Sequence, residues 1–227
     1  MRTAAASLYR CPESGSALTL EIARSDGDEI LDGILVSAHG NRYAIRGGIP
    51  DFTFPFALAE ADARARDFYD NRVDDYDRYL PLTFQTFGES EEDVREHMIS
   101  LLHLNESARV LEIGAGTGRD SVHIARLIPR GTLFCQDIAP NMLAALQRRL
   151  AGAQPIVEIA AANASYLPFP DDTFDAVFQF GGVGEFGDIA RFFREAVRVA
   201  RRGGRVVVGD ESMPVWLRNT EFAKILT

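Results

Sequence analysis

An acidic residue followed by three alternating glycines gives the clearest chemical signal in the sequence. The apolar run Val110–Ile113 contains Glu112, and Gly114, Gly116 and Gly118 follow it. Glycine lacks the Cβ that would keep a ligand away from the backbone, and a helix N-terminus attracts polar ligands. The pattern therefore predicts a buried strand, a turn that approaches a ligand closely, and a helix that begins beside that ligand.

A second carboxylate ends the next apolar run. Thr132–Gln136 is followed by Asp137, about 20 residues beyond the glycines, which is the spacing of a β-α-β unit. A carboxylate there can accept hydrogen bonds from both hydroxyls of a ribose. Nicotinamide and adenosyl cofactors share this feature, so Asp137 predicts a nucleoside ligand without naming it.

The spacing of the glycines separates two cofactor classes. The dinucleotide pattern is G-x-G-x-x-G, and Arg119 stands where its third glycine belongs. The observed E-x-G-x-G-x-G resembles the first motif of the class I S-adenosylmethionine-dependent methyltransferases. A tight strand-to-helix turn in another α/β protein is the alternative interpretation of the same residues.

A third segment strengthens this resemblance. Asn163–Val177 resembles the family's D-A-x-x-L-P-F-x-x-x-x-F-D segment, whose first acidic residue binds the adenine amine. Here that position is Asn163, whose amide oxygen can still accept a hydrogen bond. The backbone of Ala164 is then expected beside the adenine, and Leu167–Phe169 also has the composition of a loop that fills the core.

The resemblance implies S-adenosyl-L-methionine as the cofactor. A further segment, Phe68–Tyr79, resembles the lead-in that covers the cofactor in many members of the family, although ordinary helix packing explains its tyrosines equally well. The implied cofactor-binding residues are Glu112, Gly114, Ala115, Gly116, Gly118, Asp137, Ile138, Met142, Asn163, Ala164, Phe180, Tyr69 and Tyr76. No catalytic base is implied, and the candidates on the acceptor side are Glu185, Asp210, Glu211 and Tyr79.

The family resemblance predicts an α/β fold. We expect a Rossmann-like parallel sheet with strand order 3-2-1-4-5 over residues 106–227, and Phe174–Phe180 as its fourth strand. Gly203-Gly204 is expected to end the helix before a fifth strand at Val206–Val208. Residues 213–227 leave room for one helix, Trp216–Ile225, and not for the C-terminal hairpin that usually completes this fold.

The front of the chain has a different composition. Residues 1–56 resemble the small β-rich, zinc-ribbon-like domain of Trm112-like proteins, and residues 57–105 are expected to form a helical linker and lid. The four zinc positions hold Cys11, Ser14, Val36 and His39. Because a tetrahedral zinc site needs four ligands, we expect no metal. Ser90 is expected to cap the helix that follows it.

Composition limits the partners. The chain has 227 residues, 46% of them hydrophobic, and a formal net charge of −9. This acidic balance disfavours nucleic acid as a partner, although arginines between Arg191 and Arg205 form a basic stripe. We expect a cytoplasmic protein without a membrane segment, since no apolar run is long enough and two cysteines make no disulfide framework. A homodimer is compatible with an exposed sheet edge.

The favoured function is in-line transfer of a methyl group to a small-molecule acceptor. A cofactor-binding module with a structural or non-transfer role is the main alternative, because one fold supports several functions. A ribosomal RNA methyltransferase-like enzyme and a nicotinamide-dependent oxidoreductase are more distant alternatives.

Overall fold

The computed structural model describes residues 1–86 and 88–210, which form an antiparallel sheet and a parallel sheet joined by helices. The expected α/β class with a parallel sheet and a β-rich N-terminal part is therefore confirmed. The expected helix Trp216–Ile225, the expected lack of a C-terminal hairpin and the candidate Glu211 lie outside the described residues.

The N-terminal sheet is an antiparallel meander. It consists of β1 (Leu18–Asp26), β2 (Glu29–Ser37), β3 (Arg42–Arg46) and β4 (Ile49–Pro50), after a short helix α1 (Thr3–Ala6). Buried side chains alternate with partly exposed ones along most of β2 and β3, because one face of this sheet lies on the core.

Cys11 belongs to the packing of the N-terminal part. Its thiol lies 3.1 Å from the Tyr43 hydroxyl and accepts a hydrogen bond from Asn41, while His39 is exposed. Within the described residues, no three His, Cys, Asp or Glu side chains form a group that could hold a metal ion.

Three helices connect the sheets: α2 (Glu60–Asp70), α3 (Val73–Thr86) and α4 (Glu91–Ser100). The expected cap at Ser90 is confirmed, since its side chain accepts a hydrogen bond from the Asp93 N–H. Acidic residues fill the first turn of α4, where the helix dipole favours negative charge. In the described part of the chain, no helix is long and apolar enough to cross a membrane.

The parallel sheet is formed by β5 (Arg109–Ile113), β6 (Thr132–Asp137), β7 (Ile156–Ala161), β8 (Phe174–Phe180) and β9 (Ala200–Gly209). These strands lie in the order β7-β6-β5-β8-β9, all pairs being parallel. The central strand β5 is buried on both faces, which explains why apolar residues predominate in it.

The crossover helices are α5 (Arg119–Leu127), α6 (Pro140–Arg149) and α7 (Ile189–Val199). The expected end of α7 at Gly203-Gly204 is wrong, because the helix stops at Val199 and both glycines lie within β9. The pairing of β9 with β8 is irregular between Phe174 and Ala176. Gly203, with φ of 77°, occupies this irregular stretch.

The N-terminal part covers one face of the parallel sheet. Between β7 and β8 the chain forms no helix; instead Leu167 and Phe169 are buried in a core that also contains Tyr9, Phe52 and residues of the N-terminal sheet. Tyr9 contacts Phe52 and Phe169, with ring centroids 4.6 and 5.3 Å apart. On the opposite face, α4, α5 and α6 enclose a second core.

A main-chain hydrogen bond also joins the two sheets. The Phe52 N–H donates to the Ala161 carbonyl at 2.7 Å, at the end of β7. The segment that follows β4 therefore lies beside the carboxyl edge of the parallel sheet, and α2 begins from there.

We expect Tyr9→Phe to stabilise the protein. The Tyr9 ring is fully buried, and its hydroxyl has no hydrogen-bond partner within the described residues. Removing an unpaired buried hydroxyl recovers about 1 kcal/mol of desolvation cost. Urea denaturation should show a higher free energy of unfolding for Tyr9→Phe. The matched control Tyr43→Phe removes a hydroxyl that contacts Cys11 and should lower it; equal losses in both variants would contradict the interpretation.

Candidate functional site

A cleft of about 940 Å³ lies at the carboxyl edge of the parallel sheet, where loops leave the strands. Nine of the residues predicted from the sequence line it. They are Tyr69, Tyr76, Gly114, Gly116, Asp137, Ile138, Met142, Asn163 and Ala164. Ligands of open parallel sheets bind at this edge, so the cleft is the candidate functional site.

The glycine loop after β5 forms the floor of the cleft. Gly114, Gly116 and Gly118 all have positive φ, at 66°, 53° and 85°. A Cβ at Gly114 would lie 3.8 Å from Phe186, and one at Gly116 would lie 3.9 Å from Tyr76. Both neighbours are walls of the cleft, so the missing Cβ atoms leave space for a ligand.

Gly118 has a different role from the other two glycines. A Cβ there would lie 3.0 Å from Leu146 Cγ, on the next helix. Its left-handed conformation ends the loop and starts α5. Gly118 therefore allows α5 and α6 to pack closely, and it does not line the cleft.

Asp137 connects the glycine loop to the end of β6. Its Oδ2 accepts a hydrogen bond from the Gly116 N–H at 2.8 Å, and its Oδ1 accepts one from the Ala139 N–H at 2.9 Å. Burial raises the pKa of Asp137, while the N–H groups of Ala139 and Gly116 oppose this shift. Because each oxygen has a second lone pair, the carboxylate can also accept hydrogen bonds from ligand hydroxyls.

Asn163 is held between a loop and helix α2. Its Oδ1 accepts a hydrogen bond from the Ser165 N–H at 2.9 Å, and its Nδ2 donates to Asp62 Oδ2 at 2.9 Å. Asp62 lies on α2, is only 6% exposed and lines the cleft. Its second oxygen accepts a hydrogen bond from the Gly187 N–H.

Helices α2 and α3 cover the cleft, and we call them the lid. Tyr69 and Tyr76 face the cleft from these helices, with ring centroids 5.8 Å apart and nearly perpendicular. Burial raises the pKa of the Tyr76 phenol above its ordinary value, so the hydroxyl stays protonated. Tyr69 and Tyr76 therefore supply aromatic walls to the cleft.

Two further aspartates connect the lid to segments that follow strands of the parallel sheet. Asp70 accepts a hydrogen bond from the Asn141 N–H at 2.6 Å, at the start of α6. Asp77 accepts one from the Thr117 hydroxyl at 2.6 Å and pairs with Arg149. The lid thus contacts the segments that follow β5 and β6 as well as the loop after β7.

Four of the predicted residues do not line the cleft. Ala115 and Gly118 lie within the loop, and Phe180 packs 5.6 Å from the guanidinium of Arg95. Glu112 lies behind the loop, where it is 2% exposed and accepts a hydrogen bond from the Ser121 hydroxyl at 2.5 Å. Burial, assisted by the charge of Asp120, raises the pKa of Glu112 to about 8.

Only one of the described candidates on the acceptor side lines the cleft. Glu185 lines the cleft, whereas Asp210 accepts hydrogen bonds from the N–H groups of Gly182 and Gly184 and so holds the loop after β8. Tyr79 is half exposed and does not line the cleft.

Two polar residues of the cleft were missed by the sequence analysis. Gln136 is 1% exposed, and neither polar atom of its side chain has a partner within the described residues. The sequence did contain a signal for Gln136, because it is a polar residue in a buried strand, next to Asp137. Asp62 gave no such signal, because it lies in an alanine- and charge-rich helix far from the motifs.

Comparisons with known proteins point to one class of enzyme. Residues 110–204 match the family model described as "Methyltransferase domain". The chain is 31% identical over 164 residues to the ubiquinone/menaquinone biosynthesis C-methyltransferase UbiE of Geobacter sulfurreducens, covering 70% of this chain and 62% of that protein. It is 28% identical over 163 residues to the demethylmenaquinone methyltransferase of Symbiobacterium thermophilum, covering 70% and 64%.

Solved structures show the same fold. The YcgJ protein of Bacillus subtilis is 26% identical, with a TM-score of 0.53 and coverage of 60% of this chain and 58% of that chain. A protein of Methanococcus maripaludis is 19% identical, with a TM-score of 0.52 and coverage of 74% and 73%, and it shows the fold alone.

The class of protein follows from the fold, the site and these matches. Residues 110–204 form a methyltransferase domain. The two curated relatives named above act in quinone biosynthesis or on demethylmenaquinone, by their names. The chain spans less than two thirds of the length of each.

We expect Glu112→Gln to flatten the pH dependence of stability. The pKa of Glu112 lies near 8 in the folded protein, above its ordinary value of 4.5. The folded state therefore binds a proton that the unfolded state releases, and this contribution to stability is present below pH 4.5 and lost as pH rises towards 8. Glutamine cannot release a proton, so the variant should gain stability relative to the wild type over this range.

Urea denaturation at several pH values between 5 and 8 measures this difference. The matched control is Glu92→Gln, an exposed residue in the first turn of α4, which should keep the pH dependence of the wild type. A parallel pH dependence of wild type and Glu112→Gln would contradict the expectation.

Proposed function

We propose that this chain transfers the methyl group of S-adenosyl-L-methionine to a small-molecule acceptor. One observation carries the proposal: the glycine loop, Asp137 and the Asn163-Ala164 loop face one cleft beneath two tyrosines of the lid. Gln136 adds support, because a buried amide without a partner in the described residues would be satisfied by a polar ligand.

The residues of the cleft fit the parts of the cofactor. Asp137 has free lone pairs for two ribose hydroxyls, and the glycines leave room for the ligand beside the backbone. Ile138, Met142 and Ala164 offer an apolar surface for the adenine. When bound, the cofactor supplies a methyl group that the positive charge of its sulfur makes electrophilic.

The protein's part in the reaction is positioning and exclusion of water. Tyr69, Tyr76, Leu80 and Phe186 provide apolar walls, which hold two reactants in one orientation and keep solvent out. Gly181 and Gly182 have positive φ, and a Cβ on either would meet no atom within 4 Å. This open space beside the loop after β8 is the proposed acceptor site.

The acceptor we propose is a small molecule with a flat apolar body. The aromatic and aliphatic walls support this choice, and so do the quinone-related names of the relatives. The acidic net charge of −9 argues against nucleic acid. Two arginines of the basic stripe, Arg198 and Arg201, already pair with Asp171 and Asp175.

The proposal also covers the division of the chain into domains. We propose that residues 1–56 are a Trm112-like domain without zinc, which their antiparallel sheet and the contact of Cys11 with Tyr43 support. Residues 57–105 act as the lid and linker, and residues 106–227 as the cofactor-binding domain. A cytoplasmic location and a homodimeric state stay predictions.

We expect Asp137→Ala to weaken binding of S-adenosylhomocysteine by about 1–3 kcal/mol, since hydrogen bonds to a charged group are lost. Isothermal titration calorimetry measures the dissociation constants, and melting temperatures check that the variant folds. Asp26→Ala removes an exposed aspartate at the end of β1 and should bind like the wild type. Binding of NAD, with no response to the sulfur ligands, would contradict the proposed function.

We expect transfer of labelled methyl groups to a demethylated quinol or a related aromatic acceptor. The assay uses S-adenosylmethionine with a labelled methyl group, and compares such acceptors with polar amines and ribosomal RNA. Transfer to RNA alone would replace the small-molecule assignment. Binding of the cofactor without transfer to any acceptor would favour the alternative, a cofactor-binding module with another role.

A further inference from the structure

The acidic residue that the family resemblance places after β7 is absent from this chain. Asn163 stands there, and both ends of its amide already have protein partners: Ser165 N–H on Oδ1 and Asp62 on Nδ2. The amide is neutral, so it is a weaker acceptor for a ligand amine than a carboxylate would be. Asn163 is instead hydrogen-bonded to a carboxylate on the lid, that of Asp62.

Asp62 is a buried carboxylate with unused acceptor capacity. It is 6% exposed, and its only hydrogen-bond donors within the described residues are Asn163 Nδ2 and Gly187 N–H, both neutral. No lysine or arginine of the described chain forms an ion pair with it. Two oxygens offer about four lone-pair positions, so two remain for a ligand.

The backbone is shaped to seat this carboxylate. A Cβ at Gly187 would lie 2.8 Å from Asp62 Oδ2, which is closer than real contacts allow. Gly187 therefore lets the loop after β8 approach the lid, and its N–H fixes one oxygen of Asp62. The carboxylate is held from two loops and lines the cleft between them.

Asp62 and Asp137 line the same cleft. β6 and β7 are adjacent, so Asp137 and Asn163 follow neighbouring strands about 5 Å apart. In the orientation we assume, the hydroxyls of a nucleoside meet Asp137 and its base lies towards Asn163 and Asp62, which line the same cleft. The donor that adenine presents at its far edge is the exocyclic amine.

We propose that Asp62 recognises the exocyclic amine of the adenine, in place of the carboxylate that the resemblance expects at position 163. This inference rests on the proposed function, because it assumes that the cleft binds S-adenosylmethionine. It makes adenine recognition a property of the lid: a base with an amine is held by α2, and a base with a carbonyl at the same position meets the negative charge of Asp62.

The test compares S-adenosylhomocysteine with S-inosylhomocysteine, in which a carbonyl replaces the amine. The wild type should bind the adenosyl ligand about 10- to 100-fold more tightly, the effect of one charge-assisted hydrogen bond. Asp62→Asn should lose most of this preference, because an amide can donate to the carbonyl. Calorimetry gives both dissociation constants for each variant.

Two further variants separate recognition from folding. Asp67→Asn makes the same change at an exposed position of α2 and should keep the preference of the wild type. The double variant Asp62→Asn with Asn163→Asp exchanges the pair, keeps one carboxylate beside one amide, and should recover the preference for adenine. Melting temperatures report whether each variant folds.

Several outcomes would overturn the inference. Equal weakening of both ligands by Asp62→Asn would mean that Asp62 only supports the fold. An unchanged preference in Asp62→Asn, with binding lost in Asp137→Ala, would reject the role of Asp62 and leave the proposed function intact. A wild-type chain that binds neither ligand would reject the proposed function and this inference together.

Discussion

Hydrogen bonds from backbone N–H groups to aspartates hold the candidate site together. A loop that leaves a parallel strand no longer pairs its N–H groups in the sheet, and these groups need other acceptors. Asp137 accepts from the glycine loop, Asp70 from the start of α6, and Asp62 and Asp210 from the segment after β8. Each bond joins two elements that are distant in the sequence, so the cleft has fixed walls.

One face of the parallel sheet is covered in an unusual way, by segments that are distant in the sequence and are buried together. A crossover helix between β7 and β8 is replaced by a loop and by the N-terminal part, whose aromatic residues enter the same core. The main-chain bond from Phe52 to Ala161 places the start of the lid at the end of β7. The N-terminal part therefore stabilises the sheet and also determines where α2 begins.

Local patterns made much of the fold predictable from the sequence. Alternating glycines, buried apolar runs and the Ser90 cap depend on neighbouring residues only, and the corresponding loop, strands and helix are present. The same holds for β8, whose observed bounds equal the expected Phe174–Phe180. Seven of the nine predicted cofactor residues that line the cleft lie at or shortly after a strand end that could be located, whereas Tyr69 and Tyr76 lie on the lid helices.

Contacts between distant segments explain what the sequence analysis missed. The inward position of Glu112 depends on Ser121 and the packing of α5, and the end of α7 at Val199 depends on strand pairing with β8. The role of Asp62 depends on two loops that follow it by about a hundred residues or more. No local pattern reports such partners, because each is set by the assembled sheet.

The chemistry of the lid's attachments differs along its length. Asp62 and Asp70 are bound by neutral amide and backbone groups, whereas Asp77 faces the guanidinium groups of Arg119 and Arg149 at partly exposed positions. Ion pairs near the surface are screened by dissolved salt, and hydrogen bonds to neutral donors much less. We therefore expect added salt to weaken the ion pairs of Asp77 on α3 more than the hydrogen bonds that hold α2.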